Sequence, residues 1–313
     1  MTRTSPSRAQ QSYRHEALLW QDEADFVGGL LPFVEDGLDG GEPVLVALVP
    51  EHTAWLRGAL GSRAADVTFV DMQEVGANPA RFIPACTTFL AEAGNGQPTR
   101  AIGEPIWPGR RPEEVVEAQL HEALLNVAID PDAPFWLICA YDAAQLPASV
   151  ITEAHRSHPV ILDETGYAGS AGYLGRQHVD VEFAGRLSDL AGRPARIGFD
   201  FENVDRLRGH LELELSVTGL DLEVAGRLAG AFEQLARTSL RRGATGGEVR
   251  IWVQSRAMVC ELVDDLTLTD PLVGRRAPGG AEVDGHWSVN QLGDLVQIRS
   301  TPTGSTVRVY LWT

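Results

Sequence analysis

The chain has 313 residues, enough for two domains at about 100–200 residues each. It carries 43 acidic residues against 26 basic ones, a formal net charge of −17 whose field repels phosphate backbones and anionic membrane surfaces. Every basic residue is arginine, so no lysine serves as a P-loop ligand, a Schiff base or a general base. The first 20 residues are polar without an apolar signal core, and no run reaches the ~18 apolar residues of a membrane span. Cys86, Cys139 and Cys260 are widely spaced and form no CxxC pair. A reduced, cytoplasmic protein is expected.

In chain order, Glu16–Val34 reads as an amphipathic leading helix ending at Asp36–Gly37. Strand–helix alternation follows. A strand is expected at Pro43–Val49, a helix at His52–Leu60, a strand at Val67–Asp71, a helix at Pro79–Ala93 and a short strand at Arg100–Gly103. The next helix starts at Pro112, with Glu113 and Glu114 suiting its positive end, and runs to Ile129. Then come a strand at Phe135–Tyr141, a helix at Pro147–His155 and a strand at Val160–Leu162. This order predicts an α/β domain over 1–165, a mainly parallel sheet with helices on both faces. Residues 166–195 are Gly-rich and read as a linker. Over 196–313 two helices (202–215 and 220–242) precede strands at Glu248–Val253, Met258–Val263, Val296–Ser300 and Thr306–Leu311, with a helix at Ser288–Leu295. That order predicts an α+β sandwich.

Several clusters carry a family resemblance: Gly37, Leu38, Gly41, Glu42 and Pro43 before the second expected element, Gly103–Trp107, His121–Glu122 with Leu125–Asn126, Cys139 with Tyr141–Asp142, Ser157–Pro159, and the early His15. Together they resemble the MEDS domain, a sensory module of regulators from methanogens, methylotrophs and a dichloromethane-responsive system, across roughly 13–165. The resemblance implies a divergent RecA/KaiC-type fold and a small-molecule ligand. A working P-loop needs GxxxxGK[ST] after the first strand. With Pro43–Val49 taken as that strand, the chain reads Val49–Ala54, without glycine or lysine, so no ATP turnover is expected there. Glu104, Tyr141 and Asp142 fall at or just past strand carboxyl ends, where open α/β sheets bind ligands. His15, Glu104, His121, Glu122, Asn126, Tyr141, Asp142 and His158 are the candidate ligand residues. For His121 and His158 a capping or core role stands beside the ligand role. No metal site is assigned, because His155–His158 and His121–Glu122 lack a third ligand at a recognised spacing. Cys139 reads as an inert buried thiol.

In the second half, Asn290–Ser300 with Gly304–Arg308, and Val259–Asp264 with Asp270–Leu272, are similar to the anti-sigma-factor serine kinases of the GHKL ATPase superfamily. A MEDS domain fused to such a module is a familiar actinobacterial pairing. The resemblance implies a Bergerat sandwich whose ATP-site equivalents are Gln234, Thr238, Arg242, Asp264 and Gly285. Gln234 and Thr238 replace the Glu and Asn that family members use for activation and Mg²⁺, while Leu266 and Val283 replace glycines of the adenine motif and phosphate lid. No catalytic residue and no cofactor is therefore assigned, ATP–Mg²⁺ being left as a weak option. The chain is not expected to be an enzyme; an active form would be a serine/threonine kinase. The implied role is a regulator that senses a small molecule and binds a sigma factor or a STAS anti-anti-sigma protein, with neither nucleic acid nor membrane as partner and homodimerisation left open. The alternative is a repurposed enzyme or biosynthetic accessory protein with its pocket in the first domain.

Overall fold

The computed structural model describes residues 12–278 and 284–313. The chain divides into two compact units, the first ending at Val179 and the second beginning at Asp180. Sequence position 283 lies outside the described residues, so the expected lid residue Val283 receives no structural account.

The first unit opens with a strand, β1 (Arg14–Trp20), followed by α1 (Glu23–Asp39). This corrects the helix expected over 16–34. An Ala/Leu-rich run has helical propensity, but here tertiary pairing overrides it, because β1 lies between two other strands. Helix α1 starts only where the Asp22 side chain caps it by accepting from the Asp25 amide at 2.9 Å. The alternation continues with β2 (Val44–Leu48), α2 (Pro50–Leu60), β3 (Thr68–Asp71), the short α3 (Met72–Val75), α4 (Phe82–Phe89), β4 (Thr99–Gly103), α5 (Pro112–Ala128), β5 (Phe135–Asp142), α6 (Ala148–Ser157) and β6 (Val160–Asp163).

Their sheet runs β3-β2-β4-β5-β1-β6 in parallel, with β7 (Gly166–Gly169) added antiparallel at the edge. The 166–195 stretch thus holds β7 and α7 (Arg176–Phe183), and the division between units falls inside α7. Strand residues alternate faces. Leu18, Trp20, Trp136, Ile138 and Ala140 join the core beneath α1 and α2, with Phe26, Leu30, Phe33 and Leu56. The odd-numbered residues of β1 and β5, among them His15, Cys139 and Tyr141, point to the opposite face.

The second unit is an antiparallel sheet, β11-β12-β10-β9-β8, made of β8 (Ala195–Asp200), β9 (Gly246–Val253), β10 (Ala257–Asp264), β11 (Leu295–Thr301) and β12 (Gly304–Trp312). Helices α8 (Val204–Ser216), α9 (Leu222–Arg241) and α10 (Gly285–Leu292) supply its helical layer. Leu211, Leu228, Phe232 and Leu235 pack with Val249, Leu262, Val289, Ile298 and Val309 in one core. Asp221 starts α9 by accepting from the amides of Glu223 and Val224. Strand β8 is the element with no sequence expectation; it pairs only with β9, at the sheet edge. The protein is a mixed α/β chain with one parallel-rich and one antiparallel sheet. Among the described residues no helix is long and apolar enough to cross a membrane.

Candidate functional site

Helix α5 departs from an ordinary amphipathic pattern. Its buried residues include Glu114, Glu117, His121 and Glu122 among alanines and leucines. Burying carboxylates costs several kcal/mol each unless they are paired, so such a stripe needs partners. For Glu122 those partners come from three other segments. His15 sits on β1, Cys139 and Tyr141 on β5, and His158 just past α6. All five side chains are at most 2% exposed.

The register of β1 on β5 sets Ala17 opposite Cys139 and so brings His15 onto the face that carries the thiol. His15 Nε2 lies 3.4 Å from Cys139 Sγ and 3.6 Å from Glu122 Oε2. His158 Nε2 stands 3.1 Å from the same carboxylate oxygen, to which the Tyr141 hydroxyl donates at 3.2 Å. The two imidazole rings are 4.1 Å apart between centroids. One ligating atom from each of His15, Glu122, Cys139 and His158 lies within 4.8 Å of all the others.

A second layer fixes the tautomers. Asn126 Nδ2 donates to the Ser157 carbonyl at 2.7 Å, which turns its Oδ1 toward His15 Nδ1 at 3.1 Å. His158 Nδ1 donates to the Ala154 carbonyl at 2.8 Å. Both Nδ1 atoms are thus donors, and both Nε2 atoms face the cluster. Burial, reinforced by His15, pulls His158 below its ordinary value. Burial and then the Glu122 charge push the Cys139 thiol well above its own.

Of the eight candidate ligand residues, five therefore meet: His15, Glu122, Asn126, Tyr141 and His158. His121 does not. It is one residue from Glu122, which turns it about 100° around α5, and its Nδ1 donates to the Glu117 carbonyl at 2.8 Å. Glu104 and Asp142 lie elsewhere, Glu104 just past β4 and Asp142 as the last residue of β5. Glu104 Oε2 accepts from the Val49 amide at 3.0 Å and Oε1 pairs with His52 Nδ1 at 2.7 Å. Its carboxylate thereby sits at the N-terminus of α2, where a helix favours an anion. Asp142 caps a turn, its Oδ1 accepting from the amides of Ala144 and Gln145. Two participants escaped sequence reasoning. Cys139 lies 124 positions from His15 and is joined to it only by strand pairing. His52 enters the sequence reading only as the start of an expected helix and within Val49–Ala54, not as a site residue.

With β1 as the first strand, the loop after it is Gln21–Asp22 and not Val49–Ala54. It too lacks glycine and lysine, and Asp22 puts a carboxylate where a phosphate would approach.

In the second unit the five residues expected as ATP-site equivalents make internal bonds or contacts, although Asp264 keeps one buried oxygen without a hydrogen-bond partner. Gln234 Oε1 accepts from Ser288 Oγ at 2.9 Å, and Thr238 Oγ1 donates to the Gln234 carbonyl while accepting from the Gly285 amide at 3.2 Å. Arg242 pairs with Asp284 at 3.2 Å. Asp264 Oδ1 accepts from Ser305 Oγ at 2.6 Å and from the Leu266 amide. Gly285 approaches so closely that a Cβ there would overlap the Leu235 backbone. The bonds at Gln234, Thr238 and Arg242 lace α10 onto α9.

Residues 14–159 match the family model described as MEDS: MEthanogen/methylotroph, DcmR Sensory domain. The matched segment opens on β1 and ends one residue after His158, so it encloses the whole buried centre. No curated protein matches the chain.

Proposed function

We propose that this is a cytoplasmic signalling protein whose first unit senses a ligand and whose second unit docks a protein partner. The observation that carries the reading is the closure of His15, Glu122, Cys139, Tyr141 and His158 into one buried polar centre inside the segment that matches a sensory family. A polar centre that costly to bury is kept for binding more readily than for stability. Placing β1 between β5 and β6 supports a RecA/KaiC-type layout for this unit. The Gln21–Asp22 loop and the Glu104 carboxylate at α2 favour a role without phosphate binding.

For the second unit, helices on an antiparallel sheet support the GHKL-type reading, and the bonding of α10 to α9 favours partner docking over phosphoryl transfer. The partner class is a sigma factor or a STAS anti-anti-sigma protein. Control then acts through ligand-biased binding between two conformations. The test measures full-length protein against such partners by biolayer interferometry, with and without hits from a thermal-shift metabolite panel. A ligand at 100 times its dissociation constant adds about 2.7 kcal/mol, enough to detect. The sensory reading expects partner affinity to change with the ligand; an affinity indifferent to every stabilising ligand overturns it.

A further inference from the structure

We infer that the buried centre of the first unit is a closed Zn²⁺ site, coordinated by His15 Nε2, Glu122 Oε2, Cys139 Sγ and His158 Nε2. This rests on the reading of that centre as the ligand site of the unit and names the ligand's class: a borderline-soft divalent cation.

The hydrogen-bond roles come first. His158 Nδ1 faces the Ala154 carbonyl at 2.8 Å and the Ser157 hydroxyl at 3.0 Å; the carbonyl only accepts and the hydroxyl gives its own proton to the Glu153 carbonyl, so Nδ1 carries the proton and Nε2 presents a lone pair. That lone pair stands 3.1 Å from Glu122 Oε2, a second acceptor. Two acceptors at that separation repel unless a cation lies between them. His158 Nε2 and Glu122 Oε1 are also fully buried with no hydrogen-bond partner. His15 repeats the pattern, with Nδ1 on Asn126 and Nε2 turned inward. Metal-ligating histidines hold their other nitrogen in this way, on a carbonyl or amide oxygen.

Distances and charge agree with the assignment. Around a tetrahedral Zn²⁺, with ligands at about 2.0–2.3 Å, neighbouring donor atoms stand about 3.3–3.6 Å apart. Of the six donor pairs, His15–Cys139 and His15–Glu122 fall in that range at 3.4 and 3.6 Å, His158–Glu122 is slightly shorter at 3.1 Å, and all lie within 4.8 Å, so binding asks for only small side-chain shifts. Two neutral imidazoles, one carboxylate and one thiolate cancel a divalent charge, the condition under which an ion is tolerated in a core. Binding releases the Cys139 thiol proton to solvent as the Zn–S bond forms. A thiolate with two imidazoles selects against the hard cations Mg²⁺ and Ca²⁺. All four positions of the coordination sphere are protein atoms, the arrangement of sites that hold a shape and do not turn over substrate.

The experiment uses the full-length chain, purified without chelators from zinc-supplemented culture, with metal measured by elemental analysis and exchange with Co²⁺ followed by absorbance. One zinc per chain is expected. The Co²⁺ form should show tetrahedral d–d bands and a thiolate charge-transfer band, the latter lost in Cys139→Ser. Asn126→Ala and Tyr141→Phe keep every ligand and should weaken zinc roughly 10–100-fold in a chelator competition. Circular dichroism confirms that each variant is folded, and the wild-type stoichiometry and Co²⁺ spectrum need no variant at all. A folded wild-type chain that takes up neither Zn²⁺ nor Co²⁺, or whose Co²⁺ spectrum carries no thiolate band, overturns the site. If one zinc binds through these residues while partner affinity ignores its presence, the sensory reading fails and the metal site stands. If a small molecule controls partner affinity in a chain that holds no metal, only the metal site fails.

Discussion

Substituting Gly285 by alanine tests whether α10 is clamped onto α9. A Cβ at this position would stand 2.5 Å from the Leu235 amide nitrogen and 2.8 Å from the Gln234 carbonyl carbon, both backbone atoms of a long helix. Ordinary contact begins about 1 Å further out, so α10 has to retreat by that amount. Overpacking of this kind costs about 1–3 kcal/mol. The retreat also stretches the Gly285–Thr238 and Ser288–Gln234 hydrogen bonds, now 3.2 and 2.9 Å, each worth about 0.5–1.5 kcal/mol. Removing a helical glycine returns up to about 1 kcal/mol, leaving a net loss of about 2–4 kcal/mol. The control is Gly28→Ala on α1, exposed and with nothing within 4 Å of the added carbon, which should stabilise by about 0.5–1 kcal/mol. Guanidinium unfolding gives the magnitudes, and hydrogen exchange over 222–241 and 285–292 localises the first effect to the second unit. If Gly285→Ala matches the wild type, or stabilises as Gly28→Ala does, the close approach of the two helices is wrong.

Gln234→Glu combined with Thr238→Asn should not restore Mg²⁺–ATP binding by calorimetry, because both side chains are engaged by α10; micromolar affinity in the double variant or the wild type would show an open pocket. Burial opposes protonation of His52, but its hydrogen bond to Glu104 outweighs this and holds its pKa above the ordinary value. The stability this pair adds is therefore complete below about pH 6.5 and is lost as pH rises through the folded value, so the decline in melting temperature above neutrality should flatten in His52→Gln. Arg110 is buried, with its guanidinium pulled down to about 10 by burial, and donates to the carbonyls of Pro105 at 2.5 Å and Gly76 at 2.6 Å. Arg110→Met should cost about 2–5 kcal/mol in denaturant unfolding by leaving those acceptors bare, and Arg110→Lys should recover little because one ammonium cannot span the fork.

Much of the first unit was legible because buried parallel strands are written as apolar runs. Val44–Leu48 and Phe135–Asp142 are buried along their whole length, and the runs around them stand out. Strand β1 is equally central but was hidden by its chemistry: Arg14, His15 and Glu16 make its first half look like the polar face of a helix. Strand β8 was hidden differently, as an edge strand with one buried residue behind a Gly-Arg-Pro turn. The residues of the centre were named from motifs, yet their meeting was not, because it depends on β1 pairing with β5. Along single segments, His121–Glu122 and His155–His158 offer no third ligand at a recognised spacing. The fold draws one ligand each from β1, α5, β5 and the α6–β6 turn, a combination that spacing does not encode. Within α5 the correct pair was Glu122 with Asn126, four apart and on one face, and not His121 with Glu122.

Polar satisfaction separates the three sites that family resemblance singles out. Glu104 has a donor on each oxygen, from Val49 and His52, so its buried carboxylate is accounted for by the fold itself. Gln234, Thr238 and Arg242 are likewise engaged by α10 or Asp284, and what they hold together is the second unit's own helical layer. The centre around Glu122 differs in that a carboxylate oxygen and an imidazole nitrogen of one cluster are both buried without hydrogen-bond partners, whereas the bare oxygens of Asp142 and Asp264 stand singly on side chains whose other oxygen is engaged. Two bare acceptors of one cluster, at about 1–3 kcal/mol each, are a cost that a bound cation would offset. At Glu104 the chain supplies its own matching donors; where histidine, cysteine and glutamate converge, lone pairs face one another, and on the proposed assignment a bound cation supplies the matching charge.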